Sequence, residues 1–293
     1  MQKLLIALAS INPVAFRIGP FAAHWYGIGY IIGIVAGVWV AYLVAKRWEI
    51  PLTFDDMLTI ALCVSIGIFV GGRVGYCLFY GGSYYWTHPL RILAVYDGGM
   101  SFHGGFVGCA LSSLIATRFV KVSPLRLVDL GSITAPIGLG LVRLANYING
   151  ELWGRVTTVP WGVVFANAGS LPRHPSQLYE ALLEGAVLFI TLLTIALLHR
   201  RPPREGLLFG WFLILYGTFR IGVEFFREPD VSIGFIAGNW LTMGMLLSLP
   251  MVVCGMAVLI GSKRRTEPRS PAPERGTERR KDKGNAPRAS KRK

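Results

Sequence analysis

Residues 24–45 read HWYGIGYIIGIVAGVWVAYLVA, an uninterrupted apolar stretch without Asp, Glu, Lys or Arg. The hydrocarbon core of a bilayer is about 30 Å thick and is spanned by about 20 mostly apolar helical residues. Six further stretches of this kind follow, near 57–80, 98–120, 127–147, 178–198, 206–226 and 237–261. The sequence therefore predicts an all-α integral membrane protein with about seven transmembrane helices in one domain, 24–261.

The composition agrees with this fold class. Hydrophobic residues make up 53% of the chain and charged residues 16%, whereas soluble domains carry about 25% charged residues. The formal charge of +14 is concentrated in residues 263–293, which hold 13 Lys or Arg against 4 Asp or Glu. Segment 262–293 is predicted to be a disordered tail near anionic headgroups. Nucleic acid is not an expected partner, because no aromatic residue is interleaved for base stacking.

Basic residues in the connections predict the orientation. They occur in alternate loops, on the same side as the tail: Lys46, Arg47, Arg118, Lys121, Arg126, Arg200, Arg201 and Arg204. The positive-inside rule places that side in the cytoplasm and the N-terminus outside. Residues 1–23 are predicted to be an interfacial lead-in. The proline-containing segment 148–177 is predicted to be a small external cap, irregular or β-rich, over the bundle.

Glycines recur at four-residue spacing within the predicted spans, in the sets Gly29/Gly33/Gly37, Gly67/Gly71/Gly75, Gly104/Gly108 and Gly206/Gly210. Small residues at this spacing allow two membrane helices to approach closely. We interpret the glycines as packing positions. A phosphate-binding loop is not indicated, because its lysine and its strand-to-helix context are missing.

Ionisable residues within membrane spans are costly, so each requires a partner or a function. Those near the predicted outer ends of the spans, or just beyond, are His24, Arg73, Asp97, His103, Arg143, Glu151, Arg155, Arg220, Glu224 and Arg227. Because the spans alternate in direction, these residues fall at similar depth and could share a cavity. The alternative is that they pair with each other or extend to the interface.

Three motifs indicate what such a cavity could do. His103 lies between two glycine pairs, where a ligand can approach the backbone closely, and histidine is a candidate general base near neutral pH. A second motif has helical spacing and an arginine suited to a phosphate: Arg143, Asn146, Tyr147 and Gly150. A third motif also has helical spacing and contains arginine: Tyr216, Arg220, Glu224 and Arg227. Two arginines facing one cavity suggest an anionic lipid headgroup.

The chain resembles the bacterial prolipoprotein diacylglyceryl transferase family in five blocks: HWYGIGY at 24–30, DGGMSFHGG at 97–105, RLANYINGELWG at 143–154, RHPSQLYE at 173–180 and RIGVEFFREPD at 220–230. The resemblance implies transfer of the diacylglyceryl group of phosphatidylglycerol to the lipobox cysteine of preprolipoproteins, with release of glycerol phosphate. It implies a location in the bacterial inner membrane, with phosphatidylglycerol, the signal peptide and the bilayer as partners.

The resemblance also implies the site residues. They are His103, Arg143 and Arg220 as catalytic residues, and Tyr26, Asn146, Glu151, Gly154, Tyr216 and Glu224 as substrate-binding residues. His103 is a hypothesis for the base that takes the thiol proton, although an arginine-rich pocket alone could favour the thiolate. No metal or cofactor is expected.

Two other classes of function remain possible from the residues. Another phospholipid headgroup transferase is one, but the aspartate-rich signature of metal-dependent enzymes of that kind is missing. A transporter with a central anion site is the other. It would be expected to show inverted repeats, and it leaves the glycine-flanked histidine unexplained.

Overall fold

The computed structural model describes residues 2–19, 21–79, 84–94, 98–229 and 234–262. The side chains at 2–4, 7, 21, 102 and 103 are not described, so the predicted role of the His103 side chain lies outside the described residues, as do Asp97 and the predicted tail from 263 onward. The elements in chain order are α1 (Gln2–Ala9), β1 (Val14–Ile18), β2 (Phe21–His24), α2 (Trp25–Arg47), α3 (Phe54–Phe79), α4 (Tyr84–Thr87), a 3-10 turn (Pro89–Leu93), α5 (Phe102–Ala116), α6 (Pro124–Asn149), α7 (Ser176–Leu198), α8 (Leu207–Glu224) and α9 (Met243–Gly261).

Six of the described helices, α2, α3, α6, α7, α8 and α9, are long and apolar enough to cross a membrane. The third predicted span is the shorter α5, with 15 residues. Large apolar side chains point away from the bundle, including Ile31 (65% exposed), Val35 (64%) and Ile190 (61%). Such exposure is unfavourable in water but not in lipid. The chain is a multi-pass membrane protein, and the predicted fold class is confirmed.

The glycine sets are packing positions, as the sequence predicted. A Cβ added to Gly71 of α3 would lie 2.4 Å from the Gly104 carbonyl oxygen of α5, and one on Gly67 would lie 2.3 Å from Ser112 Oγ. Gly33 of α2 faces α6 in the same way, and Gly210 of α8 faces α9. Close backbone approach therefore holds the helices together in pairs, which is the usual basis of helix packing in membranes.

A buried polar network joins the helices at the end where the basic loops lie, called here the basic end. Asp129 of α6 is fully buried and accepts hydrogen bonds from the amides of Gly206 (2.9 Å), Leu208 (3.1 Å) and Phe209 (3.0 Å) at the start of α8. Its neighbour Arg126 pairs with it at 3.4 Å and donates to the Pro203 carbonyl at 2.7 Å. Asp129 therefore caps a neighbouring helix, a structural role.

The predicted cap, 148–177, is irregular, with isolated bridges that join Val156 and Val163 to Arg173. Its small core consists of Tyr147, Val163 and Phe165, each at most 1% exposed. Helix α1 packs against this core, and the Tyr147 hydroxyl donates to the Leu5 carbonyl at 2.7 Å. The two named strands are the β1–β2 hairpin in the lead-in. Regular β structure therefore lies before the first span, where the sequence analysis did not expect it.

Candidate active site

Two fully buried carboxylates stand at the centre of the site. Glu180 and Glu184 lie near the start of α7, and both have 0% exposed side chains. The chain between them enters a π-helical segment, Ala181–Val187, a feature that is frequent at functional sites. Within it Gly185 packs so closely on Gly140 of α6 that an added Cβ would lie 2.7 Å from the Gly140 Cα. This contact brings the carboxylates against α6.

Three arginines from two other parts of the chain converge on these carboxylates. Arg143 of α6 places Nε 3.2 Å from Glu180 Oε2 and Nη2 3.6 Å from Glu184 Oε2. Arg220 of α8 donates to Glu180 and lies 3.8 Å from Glu184 Oε1. Arg227, just after α8, donates to Glu180 Oε1 at 3.0 Å. Glu180 is therefore a shared counter-ion for all three guanidinium groups.

Glu224 completes the set from α8. One of its oxygens pairs with Arg220, and the other accepts a hydrogen bond from the Thr242 hydroxyl at 2.8 Å. Gly244 at the start of α9 lies against the same carboxylate, because an added Cβ there would come 2.4 Å from Glu224 Oε1. The buried-charge cluster is defined here as Arg143, Glu180, Glu184, Arg220, Glu224 and Arg227.

A second network borders this cluster at the ends of α2 and α6. Tyr26 donates to Glu151 Oε1 at 2.8 Å, and Asn149 donates to the same oxygen at 2.8 Å. The side chain of Gln177 donates to the Glu151 carbonyl at 2.7 Å, which connects the network to α7. Asn146 is 2% exposed, and its carbonyl accepts from the Glu151 amide at 3.1 Å. Hydrogen bonds to Glu151 therefore link α2, α6 and α7.

Gly154 lies where the backbone of neighbouring segments comes too close for a side chain. An added Cβ would lie 2.5 Å from the Phe226 carbonyl oxygen and 2.6 Å from the His174 carbonyl oxygen. The Gly154 amide donates to that His174 carbonyl at 2.9 Å, and the residue pairs with Arg227 in an isolated bridge. Three segments thus cross where a side chain does not fit. The bridge places Gly154 beside the backbone of Arg227, a member of the cluster.

The backbone before α5 is fixed by Arg73 of α3, which is 4% exposed. Its guanidinium donates to five carbonyls: Arg91, Ile92, Ala94, Gly98 and Gly99. The Ser101 amide donates to the Gly72 carbonyl at 2.8 Å, and Ser101 Oγ accepts from the Gly104 amide at 3.2 Å, which caps α5. The helix that carries His103 therefore begins from a rigid turn.

An aromatic pocket of about 390 Å³ opens on the cap, lined by Val159, Trp161, His174, Tyr179 and Phe226. Trp161 donates to the Tyr179 oxygen at 2.7 Å, and that hydroxyl lies 3.1 Å from His174 Nδ1. Because indole can only donate, the Tyr179 proton is free to point at Nδ1, which suits a neutral imidazole. Burial also lowers the pKa of His174, which likewise favours the neutral imidazole.

Comparison with known proteins identifies the family of the chain. The family model for prolipoprotein diacylglyceryl transferase matches residues 13–261. A relative from Brucella anthropi, named phosphatidylglycerol–prolipoprotein diacylglyceryl transferase, is 47% identical over 257 residues, which is 86% of this chain and 92% of the relative. A relative of the same name from Brucella canis is 48% identical with the same coverage. The chain belongs to the prolipoprotein diacylglyceryl transferase family.

For this member of the prolipoprotein diacylglyceryl transferase family, the structure brings together in the cluster three of the predicted site residues, Arg143, Arg220 and Glu224. Arg227 of the third motif joins them. It places Tyr26, Asn146 and Glu151 in the bordering network. Tyr216 lies partly buried on α8, stacked on Phe212 with ring centroids 5.6 Å apart.

Sequence reasoning missed Glu180, Glu184, Gln177 and Thr242. A usable signal existed for the first two, because they are acidic residues four apart at the start of a predicted span and therefore share one helix face.

Proposed function

We propose that this protein transfers the diacylglyceryl group of phosphatidylglycerol to the lipobox cysteine thiol of preprolipoproteins and releases glycerol phosphate, the first step of bacterial lipoprotein maturation. The observation that carries the proposal is the convergence of Arg143 and Arg220 on one pair of buried carboxylates inside an apolar bundle. Two guanidinium groups held at membrane depth can bind the phosphate of a lipid that enters sideways from the bilayer. Family membership supplies the identity of the two substrates.

In this proposal Arg143 and Arg220 bind the phosphate and the buried glutamates hold both guanidinium groups in place before the lipid arrives. Such preorganised charge is most effective where water is excluded. The thiolate sulfur forms a bond to the carbon of the diacylglyceryl group that carries the phosphate, the bond from that carbon to the phosphate oxygen breaks, and the electron pair stays on that oxygen. The arginines then stabilise the extra negative charge on the departing glycerol phosphate.

His103 is the proposed acceptor of the thiol proton. A cysteine is only a few per cent thiolate at pH 7, so either a base or a positive field must raise that fraction. The fixed turn held by Arg73 and Ser101 supports a defined position for the start of α5. Tyr26, Asn146, Tyr216 and Glu224 are proposed to orient the headgroup and the arginines, and Glu151 to anchor Tyr26.

We also propose the orientation of the chain. The N-terminus lies outside, the basic end faces the cytoplasm, and the buried-charge cluster lies toward the outer face of the inner membrane. Support comes from the basic loops at one end and from the shared depth of the cluster at the other. Phosphatidylglycerol can arrive sideways from the bilayer, and the signal peptide of the preprolipoprotein can arrive as a further membrane helix.

The test is a transfer assay with purified protein, phosphatidylglycerol labelled in its glyceryl backbone, and a lipobox peptide. Mass spectrometry should show one diacylglyceryl group on the peptide cysteine, and a peptide with serine in its place should remain unmodified. Arg220→Gln should abolish the transfer, whereas Arg17→Gln on the exposed hairpin should not. Uptake of labelled lipid without peptide modification would favour a transporter and contradict the proposal.

A further inference from the structure

The buried-charge cluster is balanced in the part of the chain that the structure describes. Three arginines, Arg143, Arg220 and Arg227, face three glutamates, Glu180, Glu184 and Glu224. The glutamate side chains are at most 4% exposed and the arginine side chains at most 15%. A group of this kind is stable because each charge has an opposite charge nearby, and any net charge added to it would be expensive to bury.

Glu184 differs from the other two glutamates in its contacts. Glu180 accepts hydrogen bonds from Arg220 and Arg227, and Glu224 accepts one from Thr242. Neither oxygen of Glu184 accepts a hydrogen bond from a described residue, and its ion pairs are long, 3.6 Å to Arg143 and 3.8 Å to Arg220. A buried carboxylate held this loosely is the acid of the cluster that loses least when it becomes neutral.

A bound phosphodiester brings one negative charge into this balanced set. Its proposed ligands, Arg143 and Arg220, are the two arginines that form ion pairs with Glu184 among the described residues. With Glu184 still ionised, two anions would compete for both guanidinium groups in a site of low dielectric constant, and their repulsion would oppose binding. A protonated Glu184 would remove the repulsion, and its new O–H could donate to a phosphate oxygen.

We propose that Glu184 takes up one proton when the phosphate of phosphatidylglycerol binds to Arg143 and Arg220, so that lipid binding is coupled to protonation of this residue. The inference rests on the proposed function, because it requires a lipid phosphate at the arginine pair. Among the described residues, the ionisable groups that face Glu184 are Arg143 from α6, Glu180 from its own helix, Tyr216 and Arg220 from α8, and Arg227 beyond it. Of the two acids on this helix, Glu180 accepts hydrogen bonds from Arg220 and Arg227, whereas Glu184 accepts none from a described residue.

The coupling is measured without the peptide, so that the thiol and its base play no part. Short-chain phosphatidylglycerol is titrated into the full-length protein in detergent, by calorimetry in buffers of different ionisation enthalpy. The wild type should take up about one proton per lipid bound, and its Kd should rise toward about tenfold per pH unit on the alkaline side. Glu184→Gln, which imitates the neutral acid, should bind the lipid with no proton uptake and with a Kd independent of pH.

The matched control is Glu228→Gln, an acid that pairs with Arg173 outside the cluster; it should keep the wild-type proton count. An infrared difference spectrum of the wild type should gain on lipid addition a carboxyl band that shifts in D2O, which the ester bands of the lipid do not. This measurement covers the case in which the Glu184 variant does not fold. Lipid binding by the wild type without proton uptake, or with the same uptake in Glu184→Gln, would overturn the inference. Failure of the wild type to bind phosphatidylglycerol at all would instead contradict the proposed function.

Discussion

Arg73 shows how an intramembrane charge can serve structure alone. Its five carbonyl contacts tie the segment before α5 to α3. Lysine has three donors on one nitrogen, so Arg73→Lys leaves at least two of these carbonyls, most of them partly buried, without this partner, at up to about 1–3 kcal/mol each. We expect a clearly lower melting temperature in detergent, and transfer activity should fall because the turn before His103 loosens. Arg17→Lys on the exposed hairpin is the control, and equal melting temperatures for the two variants would contradict this role.

The partly buried position of His174 predicts that the stability of the protein depends on pH. Burial lowers its pKa from the ordinary value of about 6.5, so the folded protein binds the proton less readily than the unfolded chain does. The contribution of His174 to the free energy of unfolding should therefore be fully present above about pH 6.5 and should decline as the pH falls below that value.

Thermal unfolding between pH 7 and pH 5 measures this effect. His174→Asn should flatten the decline, and the exposed His88→Asn should leave it as in the wild type. A decline that is unchanged in His174→Asn would assign the acid sensitivity to another group.

Single residues also mark the limit of sequence reasoning. Arg143 and Arg220 could be predicted because a basic residue within a membrane span is conspicuous. Glu180 and Glu184 were missed because they follow the proline-rich cap, where an acidic residue resembles an ordinary interfacial one. Their burial depends on the contact of Gly185 with Gly140, a tertiary feature that one sequence does not reveal.

At the scale of elements, the α3–α5 pair gives a direct prediction. Gly71→Ala places a methyl group 2.4 Å from the Gly104 carbonyl oxygen, so the helices must separate, at a cost of about 1–3 kcal/mol. Gly131→Ala on α6 meets no atom within 4 Å, and alanine is the better helix former by about 1 kcal/mol.

The two alanine variants should therefore shift the melting temperature in opposite directions, downward for Gly71 and upward or not at all for Gly131. Transfer activity should fall with Gly71→Ala, because α5 carries His103. Equal melting temperatures would contradict the packing role assigned to Gly71.

The helices were more predictable than the segments between them. Hydrophobic stretches of about 20 residues are a strong local signal, and six of the seven became spans of the expected length. The β1–β2 hairpin was not foreseen, because a four-residue strand has little periodicity and residues 1–23 were expected to be only an interfacial lead-in. The shape of the cap depends on bridges between distant residues such as Val156 and Arg173.

At the scale of the whole molecule, the orientation predicts which loops reagents can reach. Lys121 and Ser170 are both exposed, at opposite ends of the bundle. In a parent chain without native cysteines, Ser170→Cys should react with a membrane-impermeant maleimide in intact cells. Lys121→Cys should react only after the inner membrane is opened. The reverse pattern would place the buried-charge cluster toward the cytoplasm and contradict the proposed site of transfer.

The central claim is that Arg143 and Arg220 together bind the phosphate of phosphatidylglycerol. The most direct measurement is dipolar dephasing between the lipid ³¹P and the arginine ¹⁵N nuclei in solid-state NMR of the reconstituted protein. Wild type and an Arg173→Lys control should show the same dephasing of guanidinium signals. The double variant Arg143→Lys, Arg220→Lys should show clearly less, because only the arginines of the basic loops and tail then lie near lipid phosphates. Dephasing that persists undiminished in the double variant would contradict the account, because the phosphate would then be bound elsewhere.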